Sequence, residues 1–203
     1  MNSSRLEMLG SAAAGIAHDI NNQLNLIINH LAVADVEGAN RAAERCAALT
    51  GNLLTFCRDD AFEITAVDPA EFLLDFVDQI EMPKGIEVRL DLAASLPAIA
   101  ANAFALTRAL TNLISNACDA VHGHGLIRIS ASPRVIDVAD SGEGVPEEIR
   151  QRIFEPFFTT KGGAGTGLGL SIVRDLMYKQ GGSVSLHSEP GQGAHFALHF
   201  RAA

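Results

Sequence analysis

One histidine near the start of the chain has neighbours that could assist it in a reaction. His18 is followed directly by Asp19, and Asn22 lies about one helical turn further on. A neutral imidazole can act as a nucleophile, and a neighbouring carboxylate can orient it or take its proton. On these residues alone, however, the pattern is that of a polar helix face, so the chemistry depends on the rest of the chain.

A second group of polar residues lies in a predicted helix over residues 102–121. One side of this helix is apolar, whereas the other carries Arg108, Asn112, Asn116 and Asp119. Carboxamide oxygens are hard, neutral ligands that suit Mg²⁺, an ion that binds largely through the phosphates of its substrate. A solvated helix face is the alternative interpretation of this stripe.

A carboxylate ends a predicted strand at Asp140 and is followed by two glycines, Gly142 and Gly144. An aspartate in this position can accept a hydrogen bond from an adenine amino group, and the glycines let the backbone turn tightly against a ring. An ordinary Asp-Gly turn has the same residues. The motif therefore indicates a nucleotide site only in combination with others.

Glycines are concentrated between residues 162 and 169, directly before an apolar helical pattern. Successive glycines expose backbone N–H groups, and a helix N-terminus adds a partial positive charge of about half a unit, so together they can cradle a phosphate. The spacing is neither a Walker A motif nor a dinucleotide fingerprint. A flexible linker fits poorly, because the stripe containing Ile172 and Val173 starts immediately afterwards.

The His18 motif lies in the first of two amphipathic helical patterns. The first ends at a short break over residues 34–38, and the second runs from about residue 39 to residue 58. So short a connection predicts an antiparallel hairpin, which has too little interior to be stable alone. We therefore expect a homodimeric four-helix bundle that leaves His18 outside. The apolar seam of the first helix is Leu6, Leu9, Ala13, Ile16, Ile20, Leu24, Ile27 and Leu31.

A domain boundary is predicted near residues 59–66, because the periodicity beyond it alternates between those of strands and helices. This pattern indicates a mixed domain of sheet and helix. The predicted helices are 69–80, 102–121, 146–152 and 168–180, and the predicted strands are 86–92, 127–129, 135–139, 183–188 and 194–200.

The composition excludes several classes of protein. A formal net charge of −9 over 203 residues argues against nucleic acid or an anionic membrane as the main partner. No apolar run approaches the roughly 18 residues of a membrane span, and the N-terminus lacks a secretory signal pattern. The three cysteines lack metal-ligand spacing, so we expect reduced thiols in a cytosolic protein.

The other histidines have no comparable setting. His195 and His199 alternate with apolar residues, which predicts the outer face of a strand. His122 shares a glycine-containing turn with one more histidine, too few ligands for a metal site. No polar constellation surrounds His30 or His187.

Five motifs in this order resemble the H, N, G1, F and G2 boxes of two-component sensor histidine kinases. They are His18-Asp19-Ile20-Asn21-Asn22, Asn112-Leu113-Ile114-Ser115-Asn116-Ala117, Asp140-Ser141-Gly142-Glu143-Gly144, Phe154-Glu155-Pro156-Phe157-Phe158-Thr159-Thr160-Lys161 and Gly165-Thr166-Gly167-Leu168-Gly169-Leu170. The resemblance covers nearly the whole chain. It implies an α+β protein with a dimerisation and phosphoacceptor hairpin over residues 1–60. Residues 61–203 would then form an α/β sandwich ATP-binding domain of the gyrase, Hsp90, kinase and MutL class.

The resemblance also implies roles for the residues of the first motif. His18 would attack the γ-phosphate of ATP through Nε2, and Asp19 would act as a general base on the other ring nitrogen. Asn22 matches the position from which such kinases orient a water against an aspartyl phosphate. A phosphatase activity toward the partner is therefore implied as well.

The remaining motifs would bind the nucleotide. Asn116, with Asn112 near it, would hold Mg²⁺ and the phosphates, Asp140 would read the adenine amino group, and residues 154–161 would form part of a mobile lid. The nucleotide-binding set that the resemblance implies is Asn112, Asn116, Asp140, Gly142, Gly144, Lys161, Gly165, Thr166, Gly167, Leu168 and Gly169, with ATP and Mg²⁺ as cofactors and Asn116 as the metal ligand.

The expected protein is thus a homodimeric, cytoplasmic histidine kinase core. It would phosphorylate itself and pass the phosphoryl group to a response-regulator receiver domain, with no nucleic-acid partner and no membrane segment within this chain. One alternative is a phosphotransfer adaptor whose kinase-like domain no longer binds ATP. Another is an ATP-driven conformational machine that shares only the nucleotide fold.

Three residues depart from the pattern of the family. Gln23 stands where many relatives have proline, so the first helix is expected to be straighter. Asn102 takes the place of a frequent Asp, and Ala194 that of a common Thr. No sensor precedes the first helix, so we expect either an excised core or an input from a separate protein.

Overall fold

The computed structural model describes residue 17 and residues 20–57, 63–161 and 165–203. The chain divides into two compact units, one of Met1–Asp60 with Glu155–Leu168 and the other of Ala61–Phe154 with Gly169–Ala203. His18 and Asp19 lie outside the described residues, so the roles suggested for them stay predictions. None of the helices in the described part is long and apolar enough to cross a membrane.

The first unit contains a helical hairpin. Helix α1 covers residues 20–32, residues 33–35 form the turn, and helix α2 covers Val36–Cys57. Asp35 caps α2, because its Oδ1 accepts a hydrogen bond from the Gly38 N–H at 2.9 Å. Its Oδ2 lies 2.8 Å from Nδ1 of His30. Both contacts lower the pKa of Asp35, the Gly38 N–H more strongly.

His30 therefore does have a polar setting, contrary to the expectation from the sequence. A Cβ on Gly38 would lie 2.4 Å from both Asp35 Oδ2 and His30 Nδ1, so only glycine allows this close approach. The residue before Asp35, Ala34, has a φ of 58°, in the left-handed region. Side-chain contacts across the turn thus define where one helix ends and the next begins.

The predicted apolar seam of α1 does not behave as one stripe. Ile20 and Ile27 are half-buried and Gln23 is only 8% exposed, whereas Leu24 and Leu31 are 44% and 56% exposed. Ile28, which lies between them on the same side, is 62% exposed. The helix runs through Gln23 without interruption. One side of α1 is therefore partly buried within the chain, and an adjacent apolar side is exposed.

The second unit contains a five-stranded sheet. Its strands are β2 (Ile86–Leu92), β4 (Gly125–Ser132), β5 (Val135–Asp140), β6 (Ser183–Ser188) and β7 (Ala194–His199). They are adjacent in the order β2-β4-β5-β7-β6. Strands β2 and β4 are parallel, and all other neighbours in this sheet are antiparallel. The helices are α3 (Pro69–Gln79), α4 (Ala103–Ala120) and α5 (Gly169–Lys179), with a 3₁₀ turn at Glu147–Ile149.

A small second sheet was not expected from the sequence. Its strands are β1 (Thr65–Val67), β3 (Ile99–Ala101) and β8 (Arg201–Ala202), in the order β1-β3-β8. Each strand has at most three residues, too few for an alternating pattern to be recognisable. Pairing with distant segments, rather than local sequence, makes these residues extended.

The large sheet buries one face against helices α4 and α5. Ile127, Ile129, Ile136 and Val138 are at most 1% exposed, and α4 buries Leu106, Leu110 and Leu113 to the same extent. The opposite face is polar, as the alternation of β7 predicts: His195 is exposed, whereas Phe196 and Leu198 are buried. The architecture is an α/β sandwich, which confirms the fold class expected from the resemblance.

Asn102 caps α4 and explains why asparagine is acceptable there. Its Oδ1 accepts a hydrogen bond from Ala105 N–H at 2.9 Å, and its Nδ2 donates to the Glu63 carbonyl at 3.0 Å. An aspartate could make the first of these hydrogen bonds but has no N–H for the second. The amide thus fixes both the start of α4 and the chain that leads into β1.

Candidate nucleotide-binding site

Asp140 lies at the end of β5, on the same side of the sheet as the buried Val138. Its Oδ1 accepts backbone hydrogen bonds from Gly142 at 2.8 Å and Ala194 at 3.2 Å. Its Oδ2 makes no hydrogen bond to any residue in the part of the chain that the structure describes. The carboxylate is therefore held by one oxygen and offers the other as an acceptor.

The pKa of Asp140 is raised, and the largest cause is burial. The N–H groups of Gly142 and Ala194 act in the opposite direction and favour the charged form. The local dielectric around a half-buried acceptor is lower than that of water, so a hydrogen bond from a ligand donor to Oδ2 is electrostatically stronger there. An exocyclic amino group of a base is a donor of suitable chemistry.

Two glycines around Asp140 are required by close packing. A Cβ on Gly142 would lie 2.5 Å from the carbonyl oxygen of Ala120, the last residue of α4. Gly144 has a φ of 76°, and a Cβ there would lie 2.4 Å from the Glu189 carbonyl oxygen. The loop after β5 is thus packed between the end of α4 and the turn that joins β6 to β7.

Asn112 and Asn116 lie on one side of α4 and are both half-buried. A Cβ added to Gly169, the first residue of α5, would be 3.3 Å from Asn112 Oδ1 and 3.7 Å from Asn116 Nδ2. Asn112 Nδ2 donates to the Arg108 carbonyl at 2.9 Å, which turns Oδ1 toward that glycine. The structure therefore brings two amides to the N-terminus of a helix, where an anion is favoured.

The two clusters are connected through α4. Ala120, against which Gly142 packs, lies one helical turn beyond Asn116. Of the predicted nucleotide-binding residues, the second unit thus joins Asp140 with Gly142 and Gly144, and Asn112 and Asn116 with Gly169. The two clusters are separate in the sequence, and in the structure α4 connects them.

The segment 155–168, described at residues 155–161 and 165–168, belongs to the first unit. It folds back on itself, because Phe157 N–H donates to the Gly167 carbonyl at 2.9 Å. Thr159 Oγ1 accepts from Lys161 N–H at 3.1 Å. Thr166 Oγ1 likewise accepts from Leu168 N–H at 3.3 Å. The predicted residues of this segment are Lys161, Gly165, Thr166, Gly167 and Leu168.

Only glycine fits at position 167 of this segment. Its φ is 64°, and a Cβ would lie 2.3 Å from the backbone carbon of Phe157. Phe157 itself has a φ of 67°, which is uncommon for an aromatic residue. This tight backbone pairing holds the two ends of the segment together.

Asn22 lies in α1 and is half-buried, so its amide is partly accessible to a partner. The sequence did not indicate the contribution of Ser188 and Ala194. Ser188 is buried at 4% exposure, and the Ala194 N–H donates to Asp140. A strand serine and an alanine carry no motif of their own, so only the pairing of strands could reveal them.

The comparisons with known proteins agree with this geometry. Residues 101–203 match the sequence model of the family described as histidine kinase-, DNA gyrase B-, and HSP90-like ATPase. The match includes α4, β5, α5 and the β6–β7 turn, the elements that form the two clusters. The chain belongs to this family of ATPases.

Proteins and solved structures that are similar to this chain include histidine kinases. Sensor histidine kinase ZraS of Escherichia coli O157:H7 is 33% identical over 213 residues, which cover 96% of this chain and 46% of the relative. The structure of full-length ShkA in complex with AMPPNP has a TM-score of 0.69 at 27% identity, over 97% of this chain and 47% of that one. Over nearly its whole length, the chain is therefore similar to sensor histidine kinases. It spans about half the length of the ZraS and ShkA chains it matches.

A further structure shows the same fold. Histidine kinase ThkA in complex with the response regulator TrrA has a TM-score of 0.73, over 98% of this chain and 64% of that one. Its sequence identity to this chain is 24%.

Proposed function

We propose that this chain catalyses Mg-ATP-dependent phosphorylation of His18 and passes the phosphoryl group to an aspartate of a response-regulator receiver domain. The observation that carries the proposal is the acceptor geometry at Asp140. One of its carboxylate oxygens is held by two backbone N–H groups, and the other has no hydrogen bond to a described residue. This arrangement suits a ligand that donates from an amino group, as adenine does.

The second cluster suits the phosphates and Mg²⁺. The amides of Asn112 and Asn116 lie at the N-terminus of α5, beside a glycine that leaves room for a ligand. Asn116, assisted by Asn112, would hold the ion, and the backbone at Gly169 would contact the phosphates. Bound Mg²⁺ would neutralise charge that develops on the phosphate oxygens.

The proposed transfer forms a bond between Nε2 of His18 and the γ-phosphorus. At the same time, the bond from that phosphorus to the β–γ bridging oxygen breaks, and ADP leaves. Asp19 would orient the imidazole and accept a hydrogen bond, or the proton, from its other ring nitrogen. A receiver aspartate then attacks the phosphohistidine, and His18 is regenerated. Because the reaction uses ATP, we place it in the cytoplasm.

Two further features belong to this proposal. Asn22 would orient a water against the aspartyl phosphate of the regulator, so the protein would also dephosphorylate its partner. The exposed apolar residues of α1, which are Leu24, Ile28 and Leu31, support a homodimer. A second copy of the hairpin would cover them as a four-helix bundle does.

The test is labelling with γ-³²P-ATP and Mg²⁺. Wild-type protein should gain phosphate that is lost in acid and kept in base, and a receiver domain should then take it up. The variant His18→Ala should gain none. A matched control, His187→Ala, changes an exposed histidine on β6 and should label normally.

Other outcomes would point to a different class. Normal labelling of His18→Ala would refute the assignment of the phosphoacceptor. A wild type that binds no Mg-ATP but accepts phosphate from a phosphorylated partner would be an adaptor. ATP hydrolysis without any phosphoprotein would indicate a conformational machine.

A further inference from the structure

A buried serine connects the two loops that surround Asp140. Ser188, the last residue of β6, is 4% exposed, and its hydroxyl makes two short hydrogen bonds. Its Oγ accepts from the Val145 N–H at 2.8 Å and donates to the Gly193 carbonyl at 2.7 Å. Val145 follows the glycines of the Asp140 loop, and Gly193 ends the turn between β6 and β7. The hydroxyl thus both donates and accepts a hydrogen bond inside the protein.

The Gly193 carbonyl belongs to the same peptide unit as the Ala194 N–H. In a trans peptide these two groups point in opposite directions. The carbonyl points to Ser188, and the N–H donates to Oδ1 of Asp140 at 3.2 Å. The hydroxyl and the carboxylate therefore hold one peptide plane from its two sides.

The hydrogen bonds form a continuous series from Val145 N–H through Ser188 and the Gly193–Ala194 peptide to Asp140. Hydrogen bonds in such a series polarise and strengthen one another, because a hydroxyl or peptide group that accepts one hydrogen bond becomes a stronger donor in the next. Gly193 has a φ of 80°, and a Cβ there would lie 1.8 Å from the Asp140 carbonyl oxygen. A glycine without a side chain can rotate its peptide easily, so something else must hold that plane.

We propose that Ser188 is a positioning residue for base recognition: it holds the Gly193–Ala194 peptide, which orients Asp140 so that Oδ2 faces the amino group of adenine. This inference rests on the proposed function, because it requires Asp140 to bind the base. Ser188 itself is buried and its hydroxyl is bonded to the backbone, so its effect on the ligand would pass through that peptide. Its effect is therefore specific to the base and does not extend to the phosphates.

The test compares two nucleotides that differ at position 6 of the base. ATP has an amino donor there, and ITP has a carbonyl acceptor. Dissociation constants with Mg²⁺ are measured by calorimetry for the wild type, Ser188→Ala and the control Ser185→Ala. Ser185 is an exposed serine of the same strand, and its Oγ lies 2.8 Å from Nε2 of His199 on the outer face of the sheet.

We expect the wild type and Ser185→Ala to bind ATP more tightly than ITP. In Ser188→Ala the affinity for ATP should fall about tenfold, the typical effect of removing a partner from a buried hydrogen bond, while the affinity for ITP changes little. Ser188→Thr keeps the hydroxyl and should restore the preference. Ser188→Cys, a weaker donor, should be intermediate, so the series remains informative if the alanine variant does not fold.

One result would refute the positioning role of Ser188, and a different result would refute the role of Asp140 on which that inference rests. An unchanged ratio of ATP to ITP affinity in Ser188→Ala and Ser188→Cys, with or without a lower melting temperature, would make Ser188 purely structural. A wild type that binds ATP and ITP equally would instead remove the role of Asp140 in the proposed function. The two failures are distinguished by the wild-type ratio alone.

Discussion

Replacing Asp140 with asparagine tests the nucleotide site most directly. The two side chains have nearly the same shape, so the new amide can keep its carbonyl oxygen on the N–H groups of Gly142 and Ala194. Its NH₂ group must then take the place of Oδ2. The variant therefore presents a donor where the wild type presents an acceptor, and two donors would face each other when adenine binds.

The expected magnitude follows from the loss of one hydrogen bond to a charged group. Such a bond contributes about 1.5–3 kcal/mol, which corresponds to a loss of ATP affinity of about 10- to 160-fold. ITP, which carries an acceptor at position 6, should bind Asp140→Asn more tightly than it binds the wild type. Calorimetry with Mg-ATP and Mg-ITP measures both changes. Equal losses for the two nucleotides, or unchanged ATP affinity, would refute the recognition of the base by Asp140.

The Asp140→Asn variant should lower the affinity for ATP but raise the stability of the nucleotide-free domain. Burial raises the pKa of Asp140, so its contribution to stability is complete below the unfolded pKa of about 3.9 and is lost as pH rises through the folded pKa. Near neutral pH the buried charge therefore destabilises the nucleotide-free domain, and asparagine removes it. Thermal melting without nucleotide should show a higher midpoint for Asp140→Asn at pH 7, with the gain disappearing toward pH 4. A lower midpoint at pH 7 would contradict this electrostatic argument.

Two further variants test the other parts of the site. Gly169→Ala should weaken Mg-ATP binding about threefold to thirtyfold, because its Cβ would lie 3.3 Å from Asn112 Oδ1, where the phosphates are proposed to bind. Gly169 does not have a positive φ, so alanine can adopt its backbone conformation, and thermal melting should show that the variant remains folded. Asn22→Ala should leave autophosphorylation intact and slow the dephosphorylation of a phosphorylated receiver domain at least tenfold, the scale of a water-positioning contribution. The exposed Asn29 of the same helix provides the control Asn29→Ala, and equal phosphatase rates in the two variants would exclude the role of Asn22.

Elements with strong periodicity could be predicted from the sequence. Strands β2 and β6 were predicted at their observed bounds, and α4 begins and ends within one residue of the prediction. In each case side-chain burial repeats with the period of the backbone, so local sequence and tertiary packing favour the same conformation. Strands β1, β3 and β8 have no such pattern, and only their pairing in the small sheet makes them strands.

The hairpin shows where periodicity is insufficient. Apolar spacing predicted one seam along α1, to be buried in a homodimer, but it could not distinguish the residues that pack within one chain from those that a single chain leaves exposed. The structure buries Gln23 and exposes Leu24 and Leu31. Apolar residues on two adjacent sides of a helix all fit spacings of three or four residues. Which side is buried therefore depends on the element that packs against the helix.

The candidate site was predicted from the sequence only by combining its motifs, because an ordinary turn or a solvated helix face can contain the same residue types. A carboxylate after a strand, amides on a helix face and glycines before a helix indicated a nucleotide site without any coordinates. Their arrangement was decided by the tertiary structure. The β5–β7 pairing brings the Ala194 N–H to Asp140, 54 residues away in the sequence. Strand β6 brings Ser188 to the Gly193–Ala194 peptide. The sequence thus indicated which groups could bind a nucleotide, whereas the packing of strands determined which oxygen of Asp140 is held by backbone N–H groups. A hydrogen bond between distant residues has no local pattern.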